Sequence, residues 1–169
     1  MAAPSVSGTP SNSHSTGSVA SLTHSHTSTG DPLYVLVVTF GSTSFGTCTF
    51  NAVAMNFVCG NTIGIYNFFV YVLPSPGTST NNIVYTPPSN SFIAMAGYNV
   101  VGAVAGVRIS PTSGSSTTPS ATDAAYTDEL LVDVVAMDNL NNTFTADAGQ
   151  TSLFEQEDAS GDIKIASSF

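Results

Sequence analysis

Three histidines, two cysteines, eleven carboxylates and two cations are the charged and metal-binding stock of this 169-residue chain. His24 and His26 lie two positions apart, so on an extended strand they share a face and could chelate zinc or nickel. No third ligand is placed by the sequence, and no Cys/His spacing matches a zinc ribbon. A polar edge strand carrying exposed imidazoles is therefore the expected reading, with His14 standing apart. Serines are abundant, yet no G-x-S-x-G elbow occurs and no histidine sits at a strand end with a paired Asp. There is no G-x-x-x-x-G-K phosphate loop. With Arg108 and Lys164 as the only cations, no arginine clamp can hold a phosphate.

The carboxylates cluster instead. Ten of the eleven fall between Asp123 and Asp162, and the other is Asp31. Glu157, Asp158, Ser160 and Asp162 alternate oxygens around Gly161, a faint likeness of a calcium loop. The stretch lacks the length and the closing bidentate Glu, so an ordinary acidic turn is expected. Asp128, Glu129 and Asp133 surround a strand start, where Asp133 is expected to face solvent. Tyr66, Tyr71, Tyr85, Tyr98 and Tyr126 have the rings to stack on sugars, but core packing is the expected job of each. Asn141 with Thr143 fits a glycosylation sequon, which matters only in a eukaryotic secretory setting. The expectation is a chain with no catalytic, cofactor-binding or metal-ligating residue and no cofactor: not an enzyme.

The cysteines are read through a hairpin. Asn tolerates the positive φ that a two-residue hairpin loop demands, although Ala is a poor second residue. A turn at Asn51 and Ala52 pairs Phe50 with Val53, Cys48 with Met55 and Cys59 with Ser44. The two sulfurs then lie roughly 13 Å out of register along the strand. A disulfide tolerates Cα separations up to only ~7 Å, so two free, buried thiols are expected.

These residues must be positioned by strands. Charged residues make up only 8% of the chain while 42% is hydrophobic, so the polar balance falls to Ser, Thr, Asn and Gly, which favour turns and strands over helices. Leu33–Phe40 reads LYVLVVTF, apolar on both faces, as a mid-sheet strand does. The hairpin follows, its second arm over 53–59 placing Val53, Met55, Phe57 and Cys59 on one face. Gly60 and Asn61 break the chain before a long strand over 63–73. That strand puts Ile65, Phe69, Tyr71 and Leu73 on one face and Tyr66, Phe68, Val70 and Val72 on the other. Further strands are expected over 82–86, 92–107, 129–137, 143–146, 152–156 and 163–167. Turn signals every 8 to 12 residues and no helical run of ten mark an all-β, antiparallel β-sandwich or jelly-roll-like fold of about ten strands. Val35, Leu36, Val37, Phe69, Val70, Leu131, Val132 and Val134 are the expected core.

Residues 1–18 are read as a Ser/Thr-rich N-terminal arm, and 19–169 as one β-sandwich domain. The weak alternation of Ala20, Leu22, His24 and His26 suits an edge strand. A formal charge of −9 repels phosphate backbones and anionic lipid heads, so neither nucleic acid nor a membrane is an expected partner. The longest apolar stretches are strand-sized, and the first residues lack the basic and hydrophobic regions of a secretory signal.

Five segments, in order, resemble a β-sandwich family common in tailed-phage virion proteins and in some bacterial surface proteins. They are G-D-P-L-Y-V-L-V at 30–37, T-F-N-A-V-A-M at 49–55, F-F-V-Y-V-L-P-S-P-G-T at 68–78, D-E-L-L-V-D-V-V-A at 128–136 and A-G-Q-T at 148–151. Ala52 stands where the family often has a turn glycine. The resemblance implies a non-enzymatic virion structural protein, a capsid decoration (cement) protein or a head or tail fibre component. It would be made in the host cytoplasm and sit on the virion surface as a homo-oligomer against the major capsid protein or other virion proteins. Other expectations are a glycan- or receptor-binding adhesin module, or a cell-surface filament subunit that donates its N-terminal arm as a strand.

Overall fold

A computed structural model describes residues 4–41 and 44–102, together with the backbone of three later strands. The strands are β1 (Ser5–His14), β2 (Leu22–Thr27), β3 (Leu33–Phe40), β4 (Thr47–Phe50), β5 (Val53–Ala54), β6 (Asn56–Ile63), β7 (Tyr66–Leu73), β8 (Thr80–Thr86), β9 (Phe92–Val101), β10 (Asp133–Met137), β11 (Ser152–Glu157) and β12 (Lys164–Ser168). All pairings are antiparallel, and no helix occurs among the described residues. A five-stranded sheet runs β1-β9-β3-β7-β6, a four-stranded sheet runs β2-β8-β4-β5, and β10-β12-β11 form a third.

The first two sheets pack as a β-sandwich because their strands alternate. Leu33, Val35 and Val37 on β3, Phe69 and Tyr71 on β7, and Ile93 and Met95 on β9 meet Cys48, Phe50, Ile83 and Tyr85 from the opposite sheet in one buried cluster. Strand β3 lies centrally, paired with β7 and β9 along its whole length. Its other face is also buried, through Leu36 and Val38 beside Phe68, Val70, Ala94, Ala96, Tyr98 and Val100. Apolar residues at consecutive positions are what a strand covered on both faces requires. Val35, Leu36, Val37, Phe69 and Val70 are thus core residues, as expected; the side chains of Leu131, Val132 and Val134 lie outside the described residues.

Three expectations are corrected. First, Ser5–His14 does not stand apart from the sandwich as an arm: it is the edge strand of the five-stranded sheet, paired with β9. Backbone pairing orders this segment despite its low apolar content. Second, the hairpin arm over 53–59 is not one strand. The turn at Asn51 and Ala52 forms with positive φ at both residues, 50° and 61°, and Phe50 pairs with Val53. At the buried Met55, however, the chain leaves the four-stranded sheet and enters the five-stranded one as β6. Val53 and Phe57 are exposed while Met55 is buried. Third, Gly60 and Asn61 do not break the chain. They lie inside β6, and the turn comes at Gly64 and Ile65, with Ile63 opposite Tyr66. Gly64 has φ 61° at the first loop position, where a II′ hairpin turn places Gly; Ile65 is exposed at the tip instead of joining the core.

Candidate functional site

Strand β1 carries an irregularity that builds a site. Ser7 is opposite Asn99 and Ser11 opposite Gly97, so Gly8, Thr9 and Pro10 stand against Tyr98 alone. Such a bulge suits a proline on an edge strand. Gly8 has φ 72°, and a Cβ there would stand 2.7 Å from Cγ2 of Thr29. A cavity of about 470 Å³ opens beside the bulge, lined by Gly8, Thr9, Pro10, Ser11, Ser25, Thr27 and Thr29.

Behind Ser11 lies His26, which is 2% exposed. Strand β2 alternates as expected, with Leu22, His24 and His26 on its more buried face, but His26 is not an exposed edge imidazole. Space for it comes from Gly97, where a Cβ would stand 3.4 Å from His26 Nδ1 and 2.6 Å from Ile83 Cδ1. One ring nitrogen, Nδ1, is 2.7 Å from Ser11 Oγ. The other, Nε2, is 2.9 Å from Asn99 Oδ1. The Asn99 amide is fixed, because Nδ2 donates to the Asp31 carbonyl at 2.6 Å and to Ser28 Oγ at 3.2 Å. Its Oδ1 is therefore the acceptor, His26 Nε2 carries the hydrogen, and unprotonated Nδ1 accepts from the Ser11 hydroxyl. Burial holds the His26 pKa below its ordinary value, against the opposing effect of the Asn99 hydrogen bond. Burial, with the neighbouring His26, also lowers His24, whose Nε2 is buried without a hydrogen-bond partner.

The clasp is anchored further by Asp31, whose carboxylate accepts from Ser7 Oγ at 2.7 Å and Thr29 Oγ1 at 2.9 Å. Asp31 is the sole carboxylate in the first 102 residues, a stretch without Lys or Arg. Sequence reasoning missed the clasp. His26 is separated from Ser11 by 15 residues and from Asn99 by 73, and only the register of the bulged strand brings them together.

A second feature lies along the β5–β6 edge. Phe45 and Phe57 stack with centroids 4.4 Å apart and planes 16° from parallel. Both are exposed, as is Val53 on the preceding hairpin. Phe57 also meets Phe69 and Tyr71 edge-on, at 6.5 and 5.7 Å. Gly60 permits this approach, since a Cβ there would stand 2.7 Å from Phe69 Cδ1 and 3.3 Å from Phe57 Cζ. No charged residue occurs between positions 44 and 66.

The cysteines are free. Cys48 packs in the core between the sheets, with Sγ 3.5 Å from Met55 Sδ, and burial pushes its thiol up to about 12. Cys59 packs against the outer face of the five-stranded sheet. The two thiols thus lie on strands of different sheets, and Cys59 is half-buried, short of the burial expected for it. Of the tyrosines in the described residues, Tyr71 and Tyr85 are core residues tied to Gly46: Tyr71 Oη donates to its carbonyl at 2.9 Å, and its N–H donates to Tyr85 Oη at 3.1 Å. Tyr98 is buried as well. No three His, Cys, Asp or Glu side chains converge as a metal site among the described residues. The acidic stretch at 158–162 lies outside the described residues, as do Asp128, Glu129, Tyr126 and the sequon at Asn141. The chain matches no protein-family model, no curated protein and no solved structure.

Proposed function

We propose that this chain is a non-enzymatic structural module of a virion surface, a capsid decoration or head or tail fibre component. In this reading it is a jelly-roll-like sandwich of about ten strands that assembles with sister copies and with the major capsid protein. The observation that carries the reading is the exposed Phe45–Phe57 stack beside Val53, on an edge free of charge. A chain of net charge −9 with two cations has few charge-assisted contacts to offer. Its attachment rests on aromatic area and backbone pairing, and interfaces concentrate binding energy in such rings.

The test is co-sedimentation with capsids of the parent virus stripped of this protein. The wild-type chain should saturate its sites, and Phe45→Ser with Phe57→Ser should weaken attachment about tenfold or more while leaving the melting transition in place. Full occupancy by the double variant would remove the aromatic edge as the anchor. No attachment by the wild-type chain would overturn the virion reading itself.

A further inference from the structure

We propose that Ser11 is a nucleophile, activated by His26, that accepts acyl groups from small uncharged esters entering the cavity beside the β1 bulge. The proposal goes beyond the assembly reading and does not depend on it.

The arrangement has the three parts that serine activation requires: a nucleophile, a base within hydrogen-bond reach, and a third group orienting the base. Ser11 Oγ lies 2.7 Å from His26 Nδ1, and Nε2 lies 2.9 Å from Asn99 Oδ1. Asn99 is a positioning residue. Its amide, held by Ser28 and the Asp31 carbonyl, fixes the tautomer so that the free lone pair of Nδ1 points at the serine hydroxyl. Ordinary serine–histidine pairs use the ring nitrogens the other way round, but the proton-transfer logic is the same for either nitrogen.

Access is built in as well. His26 is sequestered at 2% exposure, whereas Ser11 is half-buried and lines the cavity. The lining residues are hydroxyl-bearing or small apolar ones without a charged side chain, which selects an uncharged substrate. The lowered pKa of His26 keeps the base unprotonated at neutral pH.

With an activated aryl ester the step balances. Ser11 Oγ bonds to the carbonyl carbon as its proton passes to His26 Nδ1. The bond between the carbonyl carbon and the aryloxy oxygen then breaks, the phenolate leaves, and the imidazolium returns the proton to the departing oxygen. The products are acyl-Ser11 and a free phenol.

The experiment uses the full chain with p-nitrophenyl acetate, following phenolate release and mapping the acetyl group by peptide mass. We expect one acetyl per chain on the peptide containing Ser11. The native chain should react about 100-fold faster than the urea-unfolded chain, the low end of what a positioned base contributes. Ser11→Ala should abolish the labelling. Ser5→Ala, an exposed position on the same strand that does not line the cavity, should keep it. The labelling rate should also fall as pH drops through a single protonation below the ordinary histidine value, over a range in which thermal melting shows the chain still fully folded. Acetyl groups spread over Lys164 and the N-terminus, unchanged in Ser11→Ala, would overturn the proposal. So would a native rate no faster than the unfolded one.

Discussion

Neutral His26 is the form that the clasp between β1, β2 and β9 requires. Its Nδ1 accepts and its Nε2 donates, and burial makes the imidazolium costly. His24 is shifted the same way. The unfolded chain takes up protons on both rings near pH 6.5, while the folded chain resists until lower pH. The unfolded state therefore binds more protons in that window, and stability falls as pH drops below about 6.5. Above it both states are neutral and this contribution is flat. Thermal melting between about pH 7.5 and about pH 5 isolates the effect, because carboxylates titrate mostly lower still. His26→Asn should make the curve shallower, leaving the share that His24 contributes. An unchanged melting temperature across that range in the wild-type chain would show that His26 is not buried as described. Little of this was legible in the sequence. The shared face of Leu22, His24 and His26 was readable from alternation, but the burial of His26 depends on Gly97 and Asn99, on a strand far along the chain.

At the scale of single elements, the turn at Asn51 and Ala52 shows local chemistry deciding structure. Both residues adopt positive φ, which an L-residue with a Cβ resists by about 1–2 kcal/mol. Asn offsets part of that cost with local hydrogen bonding; Ala has no such means. Ala52→Gly should remove the strain and return about 0.5–1 kcal/mol of it as extra chain entropy in the unfolded state, leaving a net gain of a few tenths to about 1 kcal/mol. Urea unfolding at constant slope measures this as a higher midpoint, and a lower midpoint would contradict the strain argument. Turn and strand type were legible at this hairpin because both are local. The passage of the chain between sheets at Met55 was not. An alternating run such as Val53, Met55 and Phe57 reads the same whether one sheet or two use it.

The same limit applies to β1. Ser, Thr, Gly and Pro carry little apolar signal, so composition reads residues 1–18 as an arm, while pairing with β9 makes 5–14 a strand. Removing residues 2–17 would bare the edge of β9, a strand buried at nearly every position, and leave His26 without Ser11. The truncated chain should lose its cooperative thermal transition or melt at least about 10 °C lower, as a loss of several kcal/mol implies. Melting unchanged within a degree or two would mean that the pairing contributes nothing to stability.

For the whole molecule, charge is segregated along the chain. Up to residue 102 there is one carboxylate and no Lys or Arg; the other ten carboxylates and both cations come later. The described sandwich body therefore presents hydroxyls, amides and exposed rings to its surroundings. Its single carboxylate, Asp31, is already engaged with Ser7 and Thr29. Contacts made by such a surface owe little to Coulomb attraction, and salt screens only what is charged. Contacts made through the later carboxylates would behave in the opposite way, because each ion pair at an exposed interface weakens as the Debye length shrinks. Salt thus separates the two routes to assembly. If the Phe45–Phe57 edge is the anchor, attachment measured at about 0.05 M and about 0.5 M salt should differ by less than about twofold. Sulfate at equal ionic strength should strengthen it, since excluded anions favour apolar burial. A fall of tenfold or more over the same range would place the contact on the carboxylates beyond residue 102 and take the aromatic edge out of the assembly.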